Sequence, residues 1–448
     1  MTKLFLHHRY LLHICTACAL FLSNIAQAQL DYPATGEKMM ATQTLAQHVS
    51  TKTTAISTNL DWAYRVAWSP DSKYFAVIGM EGSGGSTTFS VVVYDASTQK
   101  MIQTLPVNAK KPGSLLGDIA FSPDGKYLAA GIGVITLWDA KTWQPVRDIE
   151  GPYDRGLVSG GVKSIAFNPD SKTLVVFYDS VVWPETVKIL TREEGAALGA
   201  KVDAAKKDGT FWEKLSNSKI VSNLGTIMAF DVETKKRLFV QAVPVPTPEK
   251  NARFTGNLTY TEDGKYLLSS RIEHRQLERG EPFRHFTFLE FRDPQTGQII
   301  KEVADPHVMQ VTAMAVSPDG KYIATGTDTL SKESTLNTFT KGWDLIDNQD
   351  PIRLWDIADG KKLMEFGPLR GAVLSLAFSP DGTLLVSCQT DLEKKETVWL
   401  WDVKTGEIIE RVTTPLSGSE FFACSMSPNG HTIAMPVKGK IYLISVKY

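Results

Sequence analysis

Residues 119–151 read IAFSPDGKYLAAGIGVITLWDAKTWQPVRDIEG. Ile119 to Phe121 forms a short apolar run that ends at Ser122-Pro123-Asp124-Gly125. There proline fixes φ, and Asp-Gly supplies the residue types a tight turn accepts. KYLAAG is a second run, a glycine-containing reversal follows, ITLWDA is a third, and Thr142 to Ile149 carries a weaker fourth. The stretch reads as four short strands joined by tight turns. One such unit cannot bury both faces of its sheet, so it needs copies of itself.

The chain contains them. The first turn recurs as WSPDSKY (68–74), FSPDGKY (121–127), FNPDSKT (167–173), YTEDGKY (260–266), VSPDGKY (316–322), FSPDGTL (378–384) and MSPNGHT (426–432). The third run recurs in step as VVVYDAS (91–97), ITLWDAK (135–141), IMAFDVE (227–233), TFLEFRD (287–293), IRLWDIA (352–358), VWLWDVK (398–404) and IYLISVK (441–447). Two motifs kept in register seven times specify a seven-unit repeat array.

These motifs resemble those of the WD40-repeat family over nearly all of the chain beyond residue 52. Trp138-Asp139, Trp355-Asp356 and Trp401-Asp402 match the family's WD dipeptide, and Tyr94, Phe230 and Phe291 read as its degenerate versions. The family's Gly-His dipeptide ahead of the first strand is absent from every repeat, so a hydrogen-bond network anchored on that histidine is not expected. The resemblance implies an all-β, seven-bladed β-propeller. It also implies a non-catalytic scaffold that docks a protein or peptide. Exported propeller enzymes or cofactor binders, similar to lactonases or quinoprotein dehydrogenases, are the alternative class. So is a TolB-like propeller, which shares the SPDGKYLA phrase but not LWD.

Of the 448 residues, 43% are hydrophobic and 22% charged, ordinary for a globular protein, and the formal charge of −1 gives no bulk attraction to nucleic acid or anionic membrane. Residues 1–28 read as a cleavable signal peptide: Lys3 and Arg9 make a basic start, Leu11 to Leu22 an apolar run, and Ala26-Gln27-Ala28 a cleavage site. The apolar run is shorter than the roughly 20 residues that span a bilayer. The expectation is therefore a periplasmic or secreted protein beginning at Gln29, with no membrane span after cleavage. Residues 29–52 are polar and read as a linker or mobile arm, and the propeller occupies 53–448. TTAISTNL (53–60) is rich in β-branched residues and precedes the first repeat, while Tyr448 follows directly on the third strand of the last. Pairing the two supplies the missing outer strand and removes an open edge.

Counted from Pro70, Pro123, Pro169, Glu262, Pro318, Pro380 and Pro428, the repeat steps are 53, 46, 93, 56, 62 and 48 residues. Most exceed the about 40–45 of a WD repeat. The extra residues fall between second and third strands: after Ile78, from about 180 to 225, and at 271–285, 327–350 and 389–396. Repeats two and seven keep tight turns. In a propeller these connections leave one face, so five loops decorate one end of the disc, where binding concentrates. The 180–225 excursion reads as an inserted strand (186–190) plus a helix, with a degenerate eighth blade as the alternative.

Candidate partner-binding residues on that face are Trp212 and Trp343, either as aromatic anchors or as pins of their own loops. Arg271, Arg275, Arg279 and Arg284 interleave with Glu273, Glu278 and Glu281 as an exposed mixed-charge hairpin, or as a site for an acidic partner. His274 and His285 flank that hairpin without zinc-type spacing and read as solvated. Gly82-Ser83-Gly84-Gly85 lacks the Gly-Lys-Ser/Thr of a phosphate loop. Cys388 and Cys424 read as buried small hydrophobes, with a disulfide between neighbouring blades as the alternative. The repeated turn aspartates are turn formers first. No motif calls for a catalytic residue, metal or cofactor, so none is assigned.

Overall fold

The computed structural model describes residues 49–82, 87–108, 117–149, 158–181, 225–242, 250–275, 284–304, 307, 310–327, 352–367, 372–390, 395–417 and 423–447. They form seven four-stranded antiparallel sheets. A closing strand, β1 (Ser50–Ser57), comes first. Blade one holds β2 (Trp62–Trp68), β3 (Tyr74–Glu81), β4 (Thr88–Asp95) and β5 (Met101–Pro106). Blade two holds β6 (Asp118–Phe121), β7 (Tyr127–Gly131), β8 (Ile135–Asp139) and β9 (Pro145–Ile149). Blade three holds β10 (Val158–Phe167), β11 (Thr173–Val181), β12 (Thr226–Asp231) and β13 (Arg237–Ala242), and blade four β14 (Lys250–Tyr260), β15 (Leu267–Arg275), β16 (Arg284–Arg292) and β17 (Ile299–Ala304). Blade five holds β18 (Val311–Val316), β19 (Tyr322–Thr327), β20 (Ile352–Asp356) and β21 (Lys362–Phe366), and blade six β22 (Ala372–Phe378), β23 (Leu384–Thr390), β24 (Lys395–Asp402) and β25 (Ile408–Ser417). Blade seven is β26 (Ser425–Met426), β27 (Thr432–Val437), β28 (Lys440–Lys447) and, as its outer strand, β1. Each inner strand touches the next, and β26 returns to β2, so the blades close a ring: a seven-bladed β-propeller.

The ring exists because the blades pack against one another through largely apolar faces. Trp138 wedges against Phe89, Val91 and Val93 of blade one, Trp355 against Leu268 and Leu289 of blade four, and Trp401 against Leu354 and Phe366 of blade five. Their burial, 5% exposed or less, contributes a few kcal/mol each. The inner strands are also stitched side chain to backbone. Asp118 accepts from the Ile165 amide at 2.7 Å, Ser164 from Leu258 at 2.9 Å and Ser375 from Cys424 at 2.9 Å. Burial pushes the Asp118 carboxyl above its usual range, against the pull of Arg65 across the neighbouring strand.

The repeated turn has a physical logic. Ser122 Oγ donates to Asp124 at 2.6 Å and accepts from the Tyr127 amide at 2.9 Å, and the same pattern holds at Ser69, Thr261, Ser317, Ser379 and Ser427. The next residue is left-handed: glycine in five turns, but Ser72 (φ 58°) and Ser171 (φ 62°) in two. Those serines repay the strain, because their hydroxyls accept from the Asn429 and Asp124 amides of the adjoining blades. The second repeated aspartate caps the turn into the outer strand, as Asp139 does for the Thr142 amide at 2.8 Å. The turn aspartates are thus turn formers, as their spacing suggests.

Two sequence expectations shift. The closing strand is Ser50–Ser57 rather than 53–60, running antiparallel from Ser50↔Lys447 to Ser57↔Lys440, while Leu60 leaves the strand and is buried beneath blade one. Three expected loops begin and end as strand, with pairing that runs out to Glu81↔Thr88, Arg275↔Arg284 and Thr390↔Glu396. Blades two and seven do keep tight turns, the latter of two residues, Lys438 and Gly439. Residues 182–224 and 328–351, with the expected strand, helix and loop in them, lie outside the described residues. No helix among the described residues is long and apolar enough to cross a membrane. Removing residues 49–57 bares the β28 edge. The expected outcome is a lowered melting temperature and concentration-dependent association by size-exclusion chromatography, whereas a monomer of unchanged melting would contradict the closure.

Candidate functional site

Each sheet runs inner to outer in the same sense, so the Ser-Pro-Asp turns share one face and the second-to-third-strand connections the other. Departures from the repeat concentrate on one seam between these faces, where blade three meets blade four. In blades one, two, three, five and six the residue before the second turn aspartate is aromatic and faces an apolar partner across the sheet, as in Leu128↔Trp138, Ile323↔Trp355 and Leu385↔Trp401, while blade seven carries Ile444 there. The corresponding pair in blade four is Leu267↔Arg292. Arg292, not Phe291, therefore stands at the motif position. Phe291 is buried on the opposite face, toward blade five.

Arg292 keeps the polar half of the tryptophan's role. Trp401 Nε1 donates to Ser387 at 2.9 Å, Trp355 Nε1 to Thr325 at 2.8 Å, and Arg292 Nε to the equivalent Ser269 at 2.8 Å. The rest of the guanidinium needs partners that an indole does not. Arg292 Nη1 donates to the Gly297 carbonyl at 2.7 Å, and Nη2 pairs with Glu290 at 2.6 Å. The other oxygen of Glu290 receives Arg271 Nε at 2.7 Å, and Arg271 also pairs with Glu302 at 3.1 Å and with Glu273. Its guanidinium lies 4.3 Å from the centre of the Phe288 ring. Arg271, Glu273, Glu290 and Arg292 are at most 6% exposed. Two cations and three carboxylates, Glu302 at the rim, thus fill a slot that is aromatic elsewhere. Blade three supplies an apolar wall of Val175, Phe177, Ile227, Ala229 and Phe239.

This corrects the reading of Arg271 and Glu273 as members of an exposed hairpin. They lie in β15, and their alternation places them on the buried side, where only the partner strands' carboxylates and guanidinium make them tolerable. Arg275 and Arg284 close the hairpin as its last backbone pair, and His274 opposes His285 one row below. Arg279, Trp212 and Trp343 lie outside the described residues. Among the described residues no group of three or more His, Cys, Asp or Glu side chains is placed to hold a metal ion. Cys388 and Cys424 are buried and carry no disulfide.

Two features escaped the sequence. His307, ahead of β18, bonds through Nε2 to Thr325 at 2.7 Å, which joins it to Trp355, so blade five does keep a histidine-anchored network. It follows Pro306 rather than glycine, which hides it from the motif. The second is Trp62, at the loop-face end of β2, with the exposed Lys438 ammonium 4.5 Å from its ring centre. Beside it Asp61 accepts from the Gly82 amide at 2.7 Å, and Asn59 bonds Glu81. The glycine loop begins by binding a carboxylate of its own chain.

Sequence comparison agrees with this geometry. The family described as WD domain, G-beta repeat, matches residues 300–332 and 360–402. Periodic tryptophan protein 2 of Arabidopsis thaliana is 22% identical over 294 residues, which cover 64% of this chain and 27% of that protein. With seven blades carrying the repeated motifs, the chain is a WD40-repeat β-propeller. Replacing Arg271 by Met strands Glu290 and Glu273 without their shared cation. We expect a loss of about 3–5 kcal/mol in urea denaturation, and a loss below about 1 kcal/mol would contradict a working ion network.

Proposed function

We propose that the protein is an exported, non-catalytic scaffold that docks a protein or peptide partner on its loop face. The observation that carries this is the concentration of departures from the repeat at one seam. In the sequence the long 182–224 segment joins β11 to β12 of blade three, and in blade four β15 and β16 pair over nine rows, out to Arg275↔Arg284. A rigid ring with variable connections at one end is suited to recognition, since loop chemistry changes at little cost to core packing. The repeated carboxylates, which a catalytic reading would need, are committed to capping turns. Trp212 and Trp343 are the proposed anchors, joined by the Trp62–Lys438 pair at the edge of the face. Export rests on the basic, apolar and Ala-Gln-Ala pattern of residues 1–28.

Two measurements test the two halves of this reading. N-terminal sequencing of the native protein is expected to begin at Gln29 or within a few residues of it, and an intact Met1 would overturn export. Trp62→Ala, Trp212→Ala and Trp343→Ala, made separately, are expected to lower capture of the co-purifying partner while leaving the melting temperature unchanged. Lowered melting with full capture would assign the tryptophans to internal packing.

A further inference from the structure

The same seam is open at its opposite, turn-face end. The residue that follows each first turn is tyrosine in four blades, Tyr74, Tyr127, Tyr266 and Tyr322, and leucine at Leu384. These side chains reach toward the next blade. Tyr127 donates its hydroxyl to Glu233 of blade three at 2.8 Å, with Lys126 and Arg147 over its ring at 4.8 and 5.9 Å. Tyr74 meets Trp143 of blade two edge-on at 5.4 Å. At Thr432 the closing strand helps instead, since Ile56 packs with Ala96 on the core shared with blade one.

Blade three carries Thr173 at this position. The positions around it differ from those around Tyr127: Gln295 corresponds to Glu233, Leu238 to Val146 and Phe239 to Arg147. With threonine between them they leave a cleft of about 750 Å³ lined by Asn168, Pro169, Asp170, Asp263, Pro294 and their neighbours. That size falls within the roughly 300–1,000 Å³ of ligand sites. Leu238 is 44% exposed at its edge. Oδ1 of Asp170 and of Asp263 caps its own turn, and no bond to either Oδ2 occurs among the described residues. Tyr260, 6% exposed between the two blades, has a hydroxyl without a hydrogen-bond partner among the described residues, and the Asp170 charge acts on it. The cleft thus combines an apolar wall of Leu238, Pro169 and Pro294 with two carboxylates.

We propose that this cleft binds an aromatic side chain of a partner peptide that has a cationic residue beside it. The ring takes the place that tyrosine fills after the first turn of blades one, two, four and five, between Leu238, Pro294 and Gln295. The cation meets Asp170 and Asp263, the two carboxylates that line the cleft. The site lies on the face away from the loops and stands independently of the loop-face reading.

The test uses the full chain and an acetylated, amidated Lys-Tyr-Lys peptide, with Lys-Ala-Lys as control, in isothermal titration calorimetry. Wild-type protein is expected to bind the tyrosine peptide at least about tenfold more tightly than the control, the factor one buried ring supplies. Thr173→Tyr refills the cleft from within, so it is expected to abolish that preference while keeping or raising the melting temperature. Asp170→Asn with Asp263→Asn is expected to weaken binding and flatten its salt dependence. Leu238→Asp, at an exposed position, gives the same loss of ring preference should Thr173→Tyr fold poorly. Equal binding of the two peptides by wild type, or unchanged preference in both Thr173→Tyr and Leu238→Asp, overturns the proposal.

Discussion

The pairing of β1 with β28 is the contact on which the rest depends. Each blade has two faces, apolar at nearly every seam, and one exposed outer edge, and its neighbours bury the faces only if the ring has no gap. Seven copies supply seven inner strands, but the last copy ends at its third strand, and the first residues of the fold complete it. Closing the ring with strands from its two ends ties opening at that joint to loss of packing at two blade faces. The side-chain stitches between inner strands and the left-handed serines at Ser72 and Ser171 add polar bonds in the same circular direction.

Against that uniform ring the seam between blades three and four is a local exchange of apolar for ionic packing. Burying Arg271, Glu273, Glu290 and Arg292 carries a desolvation cost that their mutual bonds offset only while every partner is present. Such a seam is less forgiving than one closed by tryptophan and more specific in register. It is also the seam at which blade three carries Thr173 in place of the first-turn tyrosine.

Much of the architecture was legible because it rests on local chemistry. Proline, aspartate and glycine at fixed offsets report turns directly, so blade number and the tight turns of blades two and seven follow from spacing alone. The closing strand was harder to bound. It is an outer strand with little burial, its polar residues resemble a linker, and its end is set by Leu60 dropping into the core of blade one. The buried network was misread because alternating Arg and Glu along a strand look the same whether solvent or Glu290 and Arg292 lie opposite. Only the cross-strand register separates the cases, and reading Phe-Arg-Asp in step with Leu-Trp-Asp would have placed Arg292 in the tryptophan slot. His307 needed three blade-five elements brought together before its role could be seen.

Closure from both ends of the fold is the central claim, and amide hydrogen exchange under native conditions tests it most directly. Backbone amides of 50–57 that bond across to β28 are expected to exchange as slowly as those of β27 and β28, and to be released together with them when the ring opens. Exchange of 50–57 at unstructured rates, with the seventh blade still protected, would contradict it.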